Sequence, residues 1–195
     1  SHRFVTARVA EFLGEKPENL KIITCHIGNG ASISAVKDGK CFETSMGLTP
    51  LVGMMMGTRS GDIDVSAVLA IMKEEGLTPD EMSDLLNKQS GVLGISGVSS
   101  DMREVTAAAE AGNRRAALAL EMYSHRIKKY IGSYAAIMGG VDVIVFTAGV
   151  GEHQWDIRYN STTGLEFLGV ELDLEKNRKN FGEEEIISTP NSRVK

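Results

Sequence analysis

Three separated segments of this 195-residue chain concentrate residue types able to hold an anion. The first is CHIGNGAS at 25–32. Glycines on either side of Asn29 permit positive φ at consecutive positions, and the N–H groups of such a turn converge on phosphate oxygens. A plain hairpin turn needs the same residues, and His26 is equally a strand histidine or a phosphate donor, so the octapeptide alone leaves both readings open. The second segment, 44–64, places a single arginine, Arg59, inside Gly-Thr-Arg-Ser-Gly-Asp, a rigid bidentate donor among flexible backbone. An arginine at a phosphoryl-transfer site contributes ~10³–10⁵ in rate, whereas an exposed arginine–carboxylate pair contributes about 0–1 kcal/mol. Asp62 and Asp64 are also able to place a metal, but helix capping accounts for them more simply. Met54, Met55 and Met56 read as adaptable core filler. The third segment, 139–152, ends the apolar run VDVIVFT in Ala148-Gly149-Val150-Gly151. Strands that end in small residues opening a helix hold nucleotides in α/β proteins. It matches neither GxGxxG nor GxxxxGK[ST], and tight helix–strand packing explains its glycines as well. Asp101 and Arg103 are a capping carboxylate and a solvated charge, or they hold a ribose and an adenine face.

The elements that must position these residues follow from periodicity. Phe4, Val5, Val9, Phe12 and Leu13 form one helical stripe over 2–13, stopped by Gly14. Strands are predicted at 20–27, 31–36 and 40–44, joined by the Gly-Asn-Gly stretch and by Asp38-Gly39, a strong hairpin signal. The 45–62 stretch carries four glycines and one proline, too long for a plain connection. Helices are predicted at 64–75, after the capping box at Thr78 to Glu81, from Ser100 and over 113–138. The Gly/Ser-rich stretch 90–100 reads as a separator. Residues 141–147 read as a strand buried on both faces, followed by helices at 152–162 and 174–180 and a last strand at 185–188. A meander first, then strands alternating with helices, predicts an α/β domain with a mixed sheet covered on both faces.

Composition narrows the function classes. A chain of this length with 42% hydrophobic residues can bury roughly 70% of its unfolded surface, enough for one large domain or a domain plus part of another. The net charge of -5, with scattered lysines and arginines, leaves no basic footprint for nucleic acid or anionic lipid. No apolar run approaches the ~20 residues that span a bilayer, and nothing near Ser1 resembles a signal peptide, so a soluble cytoplasmic protein is expected. Cys25 and Cys41 read as reduced, buried small hydrophobes. The chain starts without methionine and enters a helix at once, as expected of a piece of a longer protein.

HIGNGAS (26–32), TSMGLTPLVGMMMGTRSGD (44–62), SGVSSDMRE (96–104) and GGVDVIVFTAGVGE (139–152) together resemble the acetate kinases, within the acetate and sugar kinase/Hsp70/actin superfamily. The resemblance implies a ribonuclease H-like (actin-like ATPase) α/β domain with a mixed sheet flanked by helices. It makes the chain the C-terminal half of a two-domain kinase, with helix 1–14 belonging to the inter-domain part and 15–195 to the C-terminal domain, incomplete at its end. It further implies reversible, Mg²⁺-dependent phosphoryl transfer from ATP to acetate, giving acetyl phosphate and ADP. Gly28, Asn29 and Gly30 then resemble a phosphate loop with His26 beside the transferred group. Arg59 resembles the active-site arginine, and Pro50 part of the pocket for the acetate methyl. Asp101, Met102, Arg103, Gly149, Val150, Gly151 and His153 fall on nucleotide-binding positions, although the family usually has asparagine where His153 stands. Ser1-His2 resembles the tail of the family motif HGTSH. The ligands of Mg²⁺ are expected outside this chain, which alone is expected to be inactive. A homodimer is implied as well. Propionate or butyrate kinases share these motifs, and a non-catalytic nucleotide-binding or dimerisation fragment is the reading from a different class.

Overall fold

The computed structural model describes all residues from Ser1 to Lys195. They form two compact units, residues 1–45 with 124–195, and residues 46–123.

The first unit is built on a four-stranded sheet of β1 (Ile22–Ile27), β2 (Ala31–Lys37), β3 (Lys40–Thr44) and β4 (Val143–Thr147), in the order β3-β2-β1-β4. β1, β2 and β3 form an antiparallel meander, and β4 joins β1 in parallel. Asp38 and Gly39 take φ values of 52° and 71° at the β2–β3 turn, the paired positive angles that an Asp-Gly hairpin uses. Helix α1 (His2–Leu13) ends at Gly14 in the left-handed conformation. Val9 and Leu13 of α1 pack on Ile22, Val36 and Val143, while Phe4 and Phe12 from the same expected stripe stay exposed. The remaining elements are residues 124–138 of α6 (Arg114–Met138), then α7 (Ala148–His153), α8 (Trp155–Thr162) and α9 (Leu174–Lys179).

Several expectations are corrected here. β4 is fully buried only at Val143 and half-buried beyond it, because one face looks into a groove of about 370 Å³ lined by Phe4, Phe12, Val145, Thr147 and residues 182–187. The expected helix at 152–162 is two helices, broken where Gln154 turns extended (φ -105°, ψ 93°). The last strand shrinks to one bridge, Leu172 with Ser188. Cys25 is buried as expected, but Cys41 is exposed, since β3 is an edge strand exposed at all five residues, beyond a bulge at Ala35/Val36.

The second unit contains α2 (Val65–Glu75), α3 (Pro79–Lys88), α4 (Gly91–Ser96), α5 (Met102–Glu110) and the first part of α6. Thr78 and Glu81 make the predicted capping box at the start of α3. Asp64 caps α2 through the Ser66 N–H. Asp62 is no cap: its carboxylate accepts the Gly53 N–H at 2.9 Å and closes the loop from 53 to 62. Met54, Met55 and Met56 are buried. The stretch read as a separator holds α4, with Val92 in the core.

Candidate functional site

In the first unit, the parallel pairing sets His26 opposite Thr147. The chain leaves the carboxyl ends of β1 and β4 side by side, so the turn at 28–30 and the start of α7, far apart in sequence, become neighbours. A Cβ added to Gly28 would lie 3.7 Å from the Ala148 Cβ, and one added to Gly151 would lie 3.6 Å from the Ile27 Cβ. The structure thus gathers His26, Gly28, Asn29, Gly30, Gly149, Val150 and Gly151. The turn is a three-residue hairpin connection closed by Gly28 N–H donating to Gly30 O at 3.1 Å. Gly28 and Gly30 do not take positive φ, so the expected run of left-handed residues is absent. Gly28 answers instead to the closeness of Gly30 O, 3.3 Å from a would-be Cβ. Asn29 and Gly30 are exposed.

Left-handed geometry appears on the other side of this cluster, where Ala148 has a φ of 66°. A non-glycine residue pays roughly 1–2 kcal/mol for that conformation. Glu152 holds it, its carboxylate accepting the Ala148 N–H at 2.8 Å and the Thr147 hydroxyl at 3.0 Å. Behind α7, the buried Arg158 uses its whole guanidinium: Nε donates to Asn177 Oδ1, Nη1 to Gly151 O and Glu152 O, and Nη2 to Asn177 O and Asn180 O. Burial pushes its pKa down, partly offset by Asp156. His153 stacks on Phe181 with ring centroids 4.6 Å apart.

Beneath the turn, the half-buried His2 cross-links the two strands that lead into it. Its Nδ1 lies 2.6 Å from Thr24 Oγ1 and its Nε2 2.7 Å from Ser32 Oγ. The Thr24 hydroxyl also lies 3.4 Å from Ser34 O, to which it donates. Both ring nitrogens of His2 are thus in hydrogen-bond contact with hydroxyls, their donor and acceptor roles set by the tautomer. Burial, and then the neighbouring His26, lower the His2 pKa. His26 meets the His2 ring edge-on at 6.0 Å, and its own Nδ1 is buried without a partner. Glu152, Arg158 and the His2 bridges are site features to which residue patterns gave no role; the GVGE string around Glu152 and the likeness of Ser1-His2 to the end of HGTSH were the signals on offer.

In the second unit, Arg59 is half-buried and its Nη1 donates to the weak acceptor Met56 Sδ at 3.5 Å. The loop that carries it is docked by main chain. Ser90, Val92 and Leu93 N–H donate to Thr58, Met56 and Gly57 carbonyls at 2.9 Å each, and Ser60 N–H donates to Leu86 O at 3.0 Å. The Thr58 hydroxyl adds a bond of 2.9 Å to Asn87 O. Pro50 is exposed. Asp101 caps α5 through Arg103 N–H and also pairs with the exposed Arg103 side chain, which holds its carboxyl at about 2. The Met102 side chain is buried in the core, so only its main chain is available to a ligand. No group of three or more His, Cys, Asp or Glu side chains converges anywhere in the chain.

Known proteins bear on this arrangement directly. The acetate kinase of Phocaeicola vulgatus is 65% identical over 194 residues, covering 100% of this chain and 48% of that protein. The crystal structure of the Porphyromonas gingivalis acetate kinase superposes with a TM-score of 0.98 at 54% identity, covering 100% of this chain and 49% of that one. A propionate kinase from Francisella tularensis follows at 0.91 and 44%, covering 99% and 49%. The chain therefore spans about half the length of the curated relatives it matches. Its fold is that of the actin-like ATPases to which these kinases belong. With the family model matching residues 1–195 as well, the chain belongs to the acetokinase family.

Proposed function

We propose that this chain forms part of an acetate kinase that transfers the terminal phosphoryl group of ATP to acetate, reversibly, giving acetyl phosphate and ADP. The observation that carries the proposal is the register of His26 against Thr147, which puts the 28–30 turn beside the start of α7. In this reading the turn and His26 of the first unit address phosphate oxygens and its Gly149, Val150, Gly151 and His153 bind nucleotide; Asp101, Met102 and Arg103 are, separately, the nucleotide-binding residues proposed for the second unit. Arg59 supplies a planar fork to the phosphoryl and carboxylate oxygens, and Pro50 lines the place of the acetate methyl. No covalent nucleophile is required: in-line transfer between two oxygens needs positioning and charge neutralisation. Mg²⁺, when bound, would add further neutralisation through ligands outside this chain, and no step here is routed through it. Residues 15–195 are assigned to the C-terminal domain, 1–14 to the link before it, and the chain alone is inactive. A cytoplasmic homodimer fits the family.

Arg59→Lys in the full-length enzyme is the test. It keeps the charge and loses the fork, and kcat is expected to fall by about 10³-fold while the unfolding midpoint stays put. Near-normal turnover would remove Arg59 from the reaction. The propionate kinase among the structural relatives favours one second reading. Comparing acetate, propionate and butyrate as acceptors separates the two, because a methylene changes pocket affinity by roughly 1–3 kcal/mol.

A further inference from the structure

We propose that Gly91 is a positioning residue for Arg59, an inference that rests on the role just given to that arginine. Gly91 opens α4 with a φ of 62°. A Cβ there would overlap Met56 O and come within 2.6 Å of Arg59 O and 3.0 Å of Arg59 N. The two ends of the 56–59 turn, themselves joined by Met56 N–H to Arg59 O at 3.0 Å, therefore close around a position where only hydrogen fits. That closeness lets the flanking amides of Ser90, Val92 and Leu93 reach the carbonyls of Thr58, Met56 and Gly57. Four consecutive residues, Met56 to Arg59, are thus set chiefly by backbone, with the Thr58 hydroxyl adding its bond to Asn87 O. A side chain at 91 pushes on the main chain of Arg59 itself, and the guanidinium moves with its Cα.

Gly76 supplies a matched control in the same unit. It has nearly the same backbone angle, φ 67°, but nothing lies within 4 Å of its would-be Cβ. Gly91→Ala and Gly76→Ala therefore share the left-handed strain, and only the first displaces Arg59.

In the full-length enzyme, Gly91→Ala is expected to lower kcat by about 100-fold, the cost of roughly an ångström of misplacement. ADP affinity is expected to stay within about threefold and the unfolding midpoint to fall below that of Gly76→Ala, because only position 91 meets backbone; Gly76→Ala itself keeps parental kcat. A folded Gly91→Ala enzyme with parental kcat overturns the inference, and so does an equal kcat loss in Gly76→Ala. If Gly91→Ala does not fold, Thr58→Val decides, since it removes only the hydroxyl bond to Asn87 O. A kcat loss of about tenfold with unchanged ADP affinity supports the positioning of the loop, the size expected for one hydrogen bond, and an unchanged kcat overturns it. Arg59→Lys separates the two layers. If it retains turnover, the underlying reading of Arg59 fails; if it loses turnover while folded Gly91→Ala does not, the positioning role alone fails.

Discussion

The two units hold their candidate loops by opposite means. In residues 46–123, the Arg59 turn is fastened chiefly by main chain: amides at the start of α4 donate to its carbonyls, and the Ser60 amide donates to Leu86 O near the end of α3, with a glycine making room. In the other unit, the start of α7 is fastened by side chains: Glu152 grips the strained Ala148, and Arg158 ties the Gly151 and Glu152 carbonyls to Asn177 and Asn180. Backbone fastening depends little on side-chain identity, the Thr58 hydroxyl excepted, and fails chiefly where a Cβ intrudes. Side-chain fastening concentrates the same task in a few replaceable groups, each of which is exposed to mutation or to protonation.

Three measurements bear on the side-chain half of this contrast. The largest effect belongs to Arg158. Arg158→Met leaves four carbonyls and the Asn177 amide oxygen without their donor, at about 1–3 kcal/mol for a buried unsatisfied group, so a stability loss of about 3 kcal/mol or more is expected in urea unfolding. A loss below about 0.5 kcal/mol, the range of an ordinary surface substitution, would mean that α7 is held some other way. Glu152→Gln comes next. The amide keeps one acceptor oxygen but loses the charge that strengthens both bonds, and ADP affinity is expected to drop by about tenfold while Arg59-dependent steps are spared. An ADP titration that shows no change would shift the task away from Glu152.

The smallest effect is the pH response of His2. Its folded pKa lies below the ordinary imidazole value of 6.5, chiefly through burial, so the unfolded chain takes up the proton first. The stabilisation is complete above about pH 6.5 and is lost as pH falls toward the folded value. Unfolding midpoints measured from pH 8 to pH 5 are expected to decline, and His2→Gln to flatten the decline. An identical slope in the variant would assign the titration elsewhere.

How much of this was legible in the sequence differs between the same two regions. The Asp38-Gly39 turn, the Gly14 stop and the Thr78–Glu81 box are local devices, and each forms as its residues dictate. Helix α4 was not legible: six residues among glycines have little periodicity, and what keeps them helical is their docking on residues 56–58. The Gly-Asn-Gly turn was found for the wrong backbone reason, because Gly28 answers to crowding while the left-handed angle sits at an alanine. Arg158 was invisible because one cation in a helix says nothing of the carbonyls that fold back around it. The half-buried state of β4 was unreadable for a similar reason, since the apolar string specifies the strand but not what covers it.

The outer border of the sheet has a consequence of its own. β3 offers only five residues, begins with Lys40, follows a bulge at Ala35/Val36, and has the Lys37 ammonium 5.5 Å from the Phe42 ring. Short length, positive charge and a local kink are the means by which natural proteins keep an open edge from templating strand addition by another molecule. Removing both lysines would therefore show first as fibril or precipitate formation in concentrated solution, well before any change in melting temperature.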